Sequence, residues 1–126
     1  MSKSELPFGY FLGVDIRGVK DGLCDDMEFT YRLLEKLVDV LGMTPMAPPV
    51  VIHAPTKKGV ELYPDKAGIS AWQPLIESGI QIHAIEPTHE VYIDIFSCAF
   101  FYISDVMNFL QAEYGGEMKI HFITRG

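Results

Sequence analysis

Along this chain the hydrophobic positions switch between a period of two and a period close to four. Within Phe8–Val19, Leu12, Val14 and Ile16 alternate with Phe11, Gly13, Asp15 and Arg17, which predicts a strand with one apolar face. Phe29, Leu33, Leu37 and Leu41 then recur every four residues beside Leu34 and Val38, the stripe of an amphipathic helix. Its start falls at Asp25 or Asp26. Glu28, three residues after Asp25, resembles a capping box, and Gly42 is a natural stop. A Pro-rich connector over Met43–Pro49 leads to a short β-branched run, Val50–His53. Pro55–Lys66 carries Pro, Gly and charges and reads as an exposed loop or hairpin.

Ala67–Ile76 reads as a strand in which Pro74 implies an edge or an irregularity. Glu77-Ser78-Gly79 is a tight break. Ile80–Ile85 and Glu90–Ser97 are strands around Glu86-Pro87-Thr88. Within Phe100–Tyr114, Ile103, Val106, Met107 and Leu110 share one helical face, closed by Gly115-Gly116. Glu117–Thr124 alternates as a final strand. Two helices and about six strands in this order predict an α+β two-layer sandwich, with both helices on one face of a mainly antiparallel sheet. The other face is then solvated or meets a second subunit. No repeat, low-complexity segment or linker divides the chain, so 1–126 reads as a single domain.

Composition narrows the function classes. Ten basic against seventeen acidic residues give a net charge of −7, which argues against nucleic acid and against an anionic membrane surface as partners. The long uncharged run Val40–Thr56 holds four prolines, and the apolar run Ile95–Ser104 is too short for a membrane span. The N-terminus lacks a secretory pattern. Two cysteines, Cys24 and Cys98, make no disulfide framework, and a cytoplasmic protein with reduced thiols is expected.

Common chemical motifs are absent: there is no GxGxxG, P-loop, HExxH or CxxC. His53, His83, His89 and His121 lack short ligand spacing, so no metal is expected. A thiolate pair of Cys98 with His83 is possible from spacing alone, as is the plainer reading of each as a structural residue.

The register of Gly68–Cys98 changes this. Glu77-Ser78 is followed by His83 five residues after the serine and Cys98 twenty after. Ser70 lies eight before it, within Gly68-Ile69-Ser70. This pattern resembles the bacterial and archaeal S-adenosylmethionine decarboxylases, and weaker similarity extends over the chain, including Leu41–Thr44 and the closing strand before Arg125-Gly126. The resemblance implies self-cleavage between Glu77 and Ser78, by attack of the serine hydroxyl on the preceding carbonyl. It implies a pyruvoyl group derived from Ser78 that condenses with a substrate amine as a Schiff base and drains electrons from the decarboxylated carbon. By the same resemblance His83 and Ser70 serve the cleavage as base and hydrogen-bond donor, Cys98 returns a proton to the product, and cleaved subunits form a homodimer.

Gly79, whose lack of a side chain permits unusual backbone angles, replaces the histidine usual after the cleaved serine. His83 is followed by Ala84-Ile85-Glu86-Pro87, where the family has an aromatic residue, then Pro and Glu. Tyr63 stands near the place of a second family aromatic, one residue out of step. An S-adenosylmethionine decarboxylase would then grip its nucleoside through Tyr63, Trp72 or Glu86. Glu86, Glu90 and Asp94 are further candidates to attract a cationic substrate. A pyruvoyl decarboxylase of another amino acid, arginine or ornithine, and an unprocessed, non-catalytic relative remain open alternatives.

Overall fold

The computed structural model describes residues 6–54 and 64–126. The period-two runs become strands β1 (Gly9–Arg17), β2 (Val50–Ala54), β3 (Gly68–Leu75), β4 (Ser78–Ile85), β5 (Glu90–Ser97) and β6 (Glu117–Arg125). The period-four runs become helices α1 (Met27–Leu41) and α2 (Ile103–Tyr114). The strands form one sheet in the order β2-β3-β4-β5-β1-β6, and every neighbouring pair is antiparallel.

Alternation explains the layering. Leu12, Val14 and Ile16 of β1, Ile80 and Ile82 of β4, and Val91, Ile93 and Ile95 of β5 are buried in one core with Leu33, Leu34 and Leu37 of α1 and Val106 and Leu110 of α2. Each such side chain contributes about 1.5–3 kcal/mol on leaving water. The expected α+β sandwich is therefore present, with both helices on one sheet face. Gly68 of β3 shows how tightly the backbones approach: its φ is +155°, and a Cβ there would lie 1.9 Å from the Ala84 carbonyl oxygen.

Several boundaries differ from the pattern-based expectation. The cap of α1 is Asp26, whose carboxylate accepts the Phe29 N–H at 2.9 Å. Asp25 belongs instead to a short 3-10 turn, Leu23–Asp25, and contacts His53. Helix α2 begins three residues later than its apolar pattern, because Phe100 and Tyr102 pack edge-to-face, with Phe100 also against Tyr10. Pro74 sits in an interior strand, but beyond the end of β2, whose last pairing on that side is Val50 with Trp72. Its missing N–H therefore breaks no ladder bond, and its carbonyl accepts Met46 N–H. The loop expected over Pro55–Lys66 lies mostly outside the described residues, with Pro64–Lys66 forming a 3-10 turn.

Candidate functional site

The β3–β4 hairpin carries the Glu77-Ser78 pair. Leu75 pairs with Ser78, so the loop is only Ile76-Glu77, and Ser78 already belongs to β4. Two-residue hairpins ordinarily take positive φ within the loop. Here neither loop residue does. Ser78 does, with φ +150°, a region almost reserved for glycine. Gly79, where the sequence suggested the unusual angles, has no positive φ. Its lack of a side chain serves space instead, since a Cβ would stand 3.3 Å from the Trp72 indole nitrogen.

Both sides of Glu77 are held. Its carbonyl oxygen accepts the Cys98 backbone N–H at 2.9 Å. Its carboxylate accepts the Thr44 N–H at 2.9 Å and the Thr44 hydroxyl at 3.3 Å. Those bonds, the backbone one foremost, hold the carboxyl below the usual carboxylate range. Cys98 directly follows Ser97, the register partner of Ser78 on β5. The buried Ser97 hydroxyl donates to the Ala99 carbonyl and accepts the Ala99 N–H, both at 2.9 Å, which fixes the turn that presents Cys98. Cys98 itself is exposed.

Ser78 lines a cleft of about 390 Å³ on the sheet face away from the helices, with Phe11, Trp72, Gly79, Gln81, Asp94, Phe96 and Arg125 also contributing. The Arg125 guanidinium lies 4.9 Å from the centre of the Phe96 ring. Burial first, then the negative charge of Asp15, raises the Asp94 carboxyl above its ordinary value, against the pull of His121.

Ser70 and His83 also meet. They are register partners on β3 and β4, and the serine hydroxyl lies 3.2 Å from His83 Nδ1. They do not reach Ser78 in the same chain. His83 is five positions along β4, roughly 16 Å away at strand rise. Glu86 is farther still, at the opposite end of β4, where it shares a different cavity with Asp25 and His53. Glu90 lies at that end too, bonded to Tyr92. Ile85, at the place of the family aromatic, is buried. Trp72 stands beside Ser78, and Tyr63 lies outside the described residues.

Comparisons with known proteins bear on the family and the fold. The profile of the S-adenosylmethionine decarboxylase family matches residues 11–126. The chain belongs to that family. No curated protein matches it. Among solved structures it resembles the adenosylmethionine decarboxylase of Aquifex aeolicus VF5, at 18% identity over 95% of this chain and 92% of the other, with a TM-score of 0.75. That likeness concerns the fold. Family membership supports an S-adenosylmethionine decarboxylase-like function, in a family that is generally pyruvoyl-dependent. Among the described residues no helix is long and apolar enough to cross a membrane.

The sequence missed Thr44, Phe96 and Arg125 as residues of this site. Phe96 could have been placed only by knowing that β4 pairs with β5 in the register Gly79–Phe96.

Proposed function

We propose that the chain cleaves itself between Glu77 and Ser78 and acts as a pyruvoyl-dependent S-adenosylmethionine decarboxylase of polyamine biosynthesis. The observation that carries this reading is the strained Ser78, placed directly after a carbonyl that already accepts the Cys98 N–H. A serine hydroxyl is a poor nucleophile, and only a fixed approach makes it competent. A backbone held in a sparsely populated region stores on the order of 1–3 kcal/mol that the cleavage releases.

Ser78 Oγ attacks the Glu77 carbonyl carbon. The C–O bond forms and the C–N bond breaks, the hydroxyl proton passing to the departing nitrogen, while negative charge on the carbonyl oxygen is met by the Cys98 N–H. A base then takes the Ser78 α-proton, the Cβ–O bond breaks, and Glu77 leaves as a carboxylate. Water replaces the nitrogen of the resulting dehydroalanine as ammonia, leaving a pyruvoyl group on the fragment 78–126. The site fits that group: Ser78 lines a cleft of about 390 Å³, and an exposed thiol follows at the end of the adjacent strand. The ketone supplies the electron sink for loss of carbon dioxide. Cys98 is the proton donor to the product carbon. Trp72 and Phe96 offer rings for a planar base, and Asp94 offers negative charge to a sulfonium.

His83 and Ser70 serve as the base and the hydrogen-bond donor of the cleavage, and their distance from Ser78 means that a second copy must bring them. Two chains apposed through the uncovered sheet face would each lend this pair to the other's hairpin, so the active form is a homodimer. A second reading, decarboxylation of arginine or ornithine, is favoured by the burial of Ile85 where a stacking ring would stand.

Carbon dioxide release from carboxyl-labelled S-adenosylmethionine, arginine and ornithine separates these readings. Cleaved protein is expected to release label from S-adenosylmethionine, and Ser78→Ala to release none. Release from arginine or ornithine alone would give the second reading. Cleaved protein inactive on all three would contradict both.

A further inference from the structure

The positive φ falls on Ser78 rather than on the loop that precedes it, and the cause lies 33 residues before Glu77 in the chain. Thr44 grips both loop residues. Its carbonyl accepts the Ile76 N–H at 2.9 Å, its N–H donates to Glu77 Oε1 at 2.9 Å, and its hydroxyl donates to Glu77 Oε2 at 3.3 Å. Pro45 pairs with Leu75, and Met46 N–H donates to the Pro74 carbonyl at 3.1 Å, so the connector runs as a short extra edge against the end of β3. A residue before proline is biased towards extended backbone, which presents the Thr44 N–H and carbonyl to a neighbouring strand.

We infer that Thr44 is a positioning residue for the chain break, acting through Ile76 and Glu77. With Ile76 tied by its N–H and Glu77 tied by its carboxylate, the loop cannot relax into the usual positive-φ turn, and the misfit is carried by the next residue. The Cys98 N–H fixes the Glu77 carbonyl from the other side. Glu77 is thus clamped between two segments, 44–46 and 98, while Ser78 is left strained against its carbonyl. The inference rests on the proposed self-cleavage and adds a part to it: the acidic side chain before the serine is an anchor.

The test is the rate of cleavage in freshly translated full chain, followed on denaturing gels, for the wild type, Thr44→Val, Thr44→Ser, Glu77→Leu and the double variant Thr44→Val/Glu77→Leu. Loss of hydrogen bonds to a charged group predicts slowing by about tenfold in Glu77→Leu and by roughly threefold in Thr44→Val. Thr44→Ser is expected to cleave at close to the wild-type rate. The double variant should be no slower than Glu77→Leu, because both changes break one contact. Thermal melting of the uncleaved forms checks that folding is unchanged; should Thr44→Val fail to fold, Glu77→Leu carries the test. Wild type that cleaves alongside variants of equal rate overturns the role of Thr44 alone, as do slow variants whose effects multiply. Wild type that never cleaves overturns the self-cleavage itself.

Discussion

Cys24 and Cys98 carry the same thiol into opposite settings. Cys24 is fully buried, and burial, with the Glu86 charge adding to it, pushes its thiol from an ordinary 9.0 up to about 11. The folded state therefore holds that proton more tightly than the unfolded chain. Its contribution to stability is whole below about pH 9 and is lost as pH rises through about 11. Melting temperature should fall between about pH 8 and about pH 10.5, and less steeply in Cys24→Ala; equal slopes would contradict the assignment. A thiol reagent should find Cys98 in the native protein and Cys24 only on unfolding. At this scale the sequence was informative about which residues to watch. Ser70, Ser78, His83 and Cys98 stand out through the resemblance of their register to a known family. Spacing reveals neither that Ser78 and His83 share one extended strand, which sets them apart, nor the β4–β5 register that brings Cys98 to Glu77. Thr44 stood out only as the end of the Leu41–Thr44 stretch of family similarity, and its contact with Glu77 was hidden because that partner is distant in the chain.

Among the elements, helix α1 depends on an N-terminal cap that lies one residue beyond the first acidic candidate. Asp26→Ala should lower stability by about 1 kcal/mol in denaturant unfolding, by loss of the bond to Phe29 N–H. Equal losses on replacing Asp25 and Asp26 would contradict that assignment. In α2, Leu110→Ala should cost about 2–5 kcal/mol, since the side chain is wholly buried in the common core. Element type was readable because the apolar period changes cleanly from two to four. Ends were harder: a 3-10 turn takes Asp25, and aromatic packing by Phe100 delays α2. Strand β6 alternates as expected, yet Ile120 and Phe122 stay exposed, because the core it would join extends little past β1.

For the molecule as a whole, one sheet face is covered by helices and the other holds the polar and aromatic residues of the site. The layer order followed from the sequence of periods. The need for a second copy did not, because it comes from Ser78 and His83 sharing one extended strand, whereas the sequence pattern placed Ser78 in a tight break before it. If the cleavage pair is lent between chains, mixing Ser78→Ala with His83→Ala should restore cutting of the His83→Ala chain, which neither variant shows alone. Cutting by a dilute, monomeric wild type would contradict the exchange. Self-cleavage is decided by the intact mass of freshly purified full chain. Two fragments are expected, 1–77 and 78–126, the second lighter by one ammonia than a fragment beginning with serine. A single undiminished species of 14.2 kDa, persisting on incubation, would contradict it.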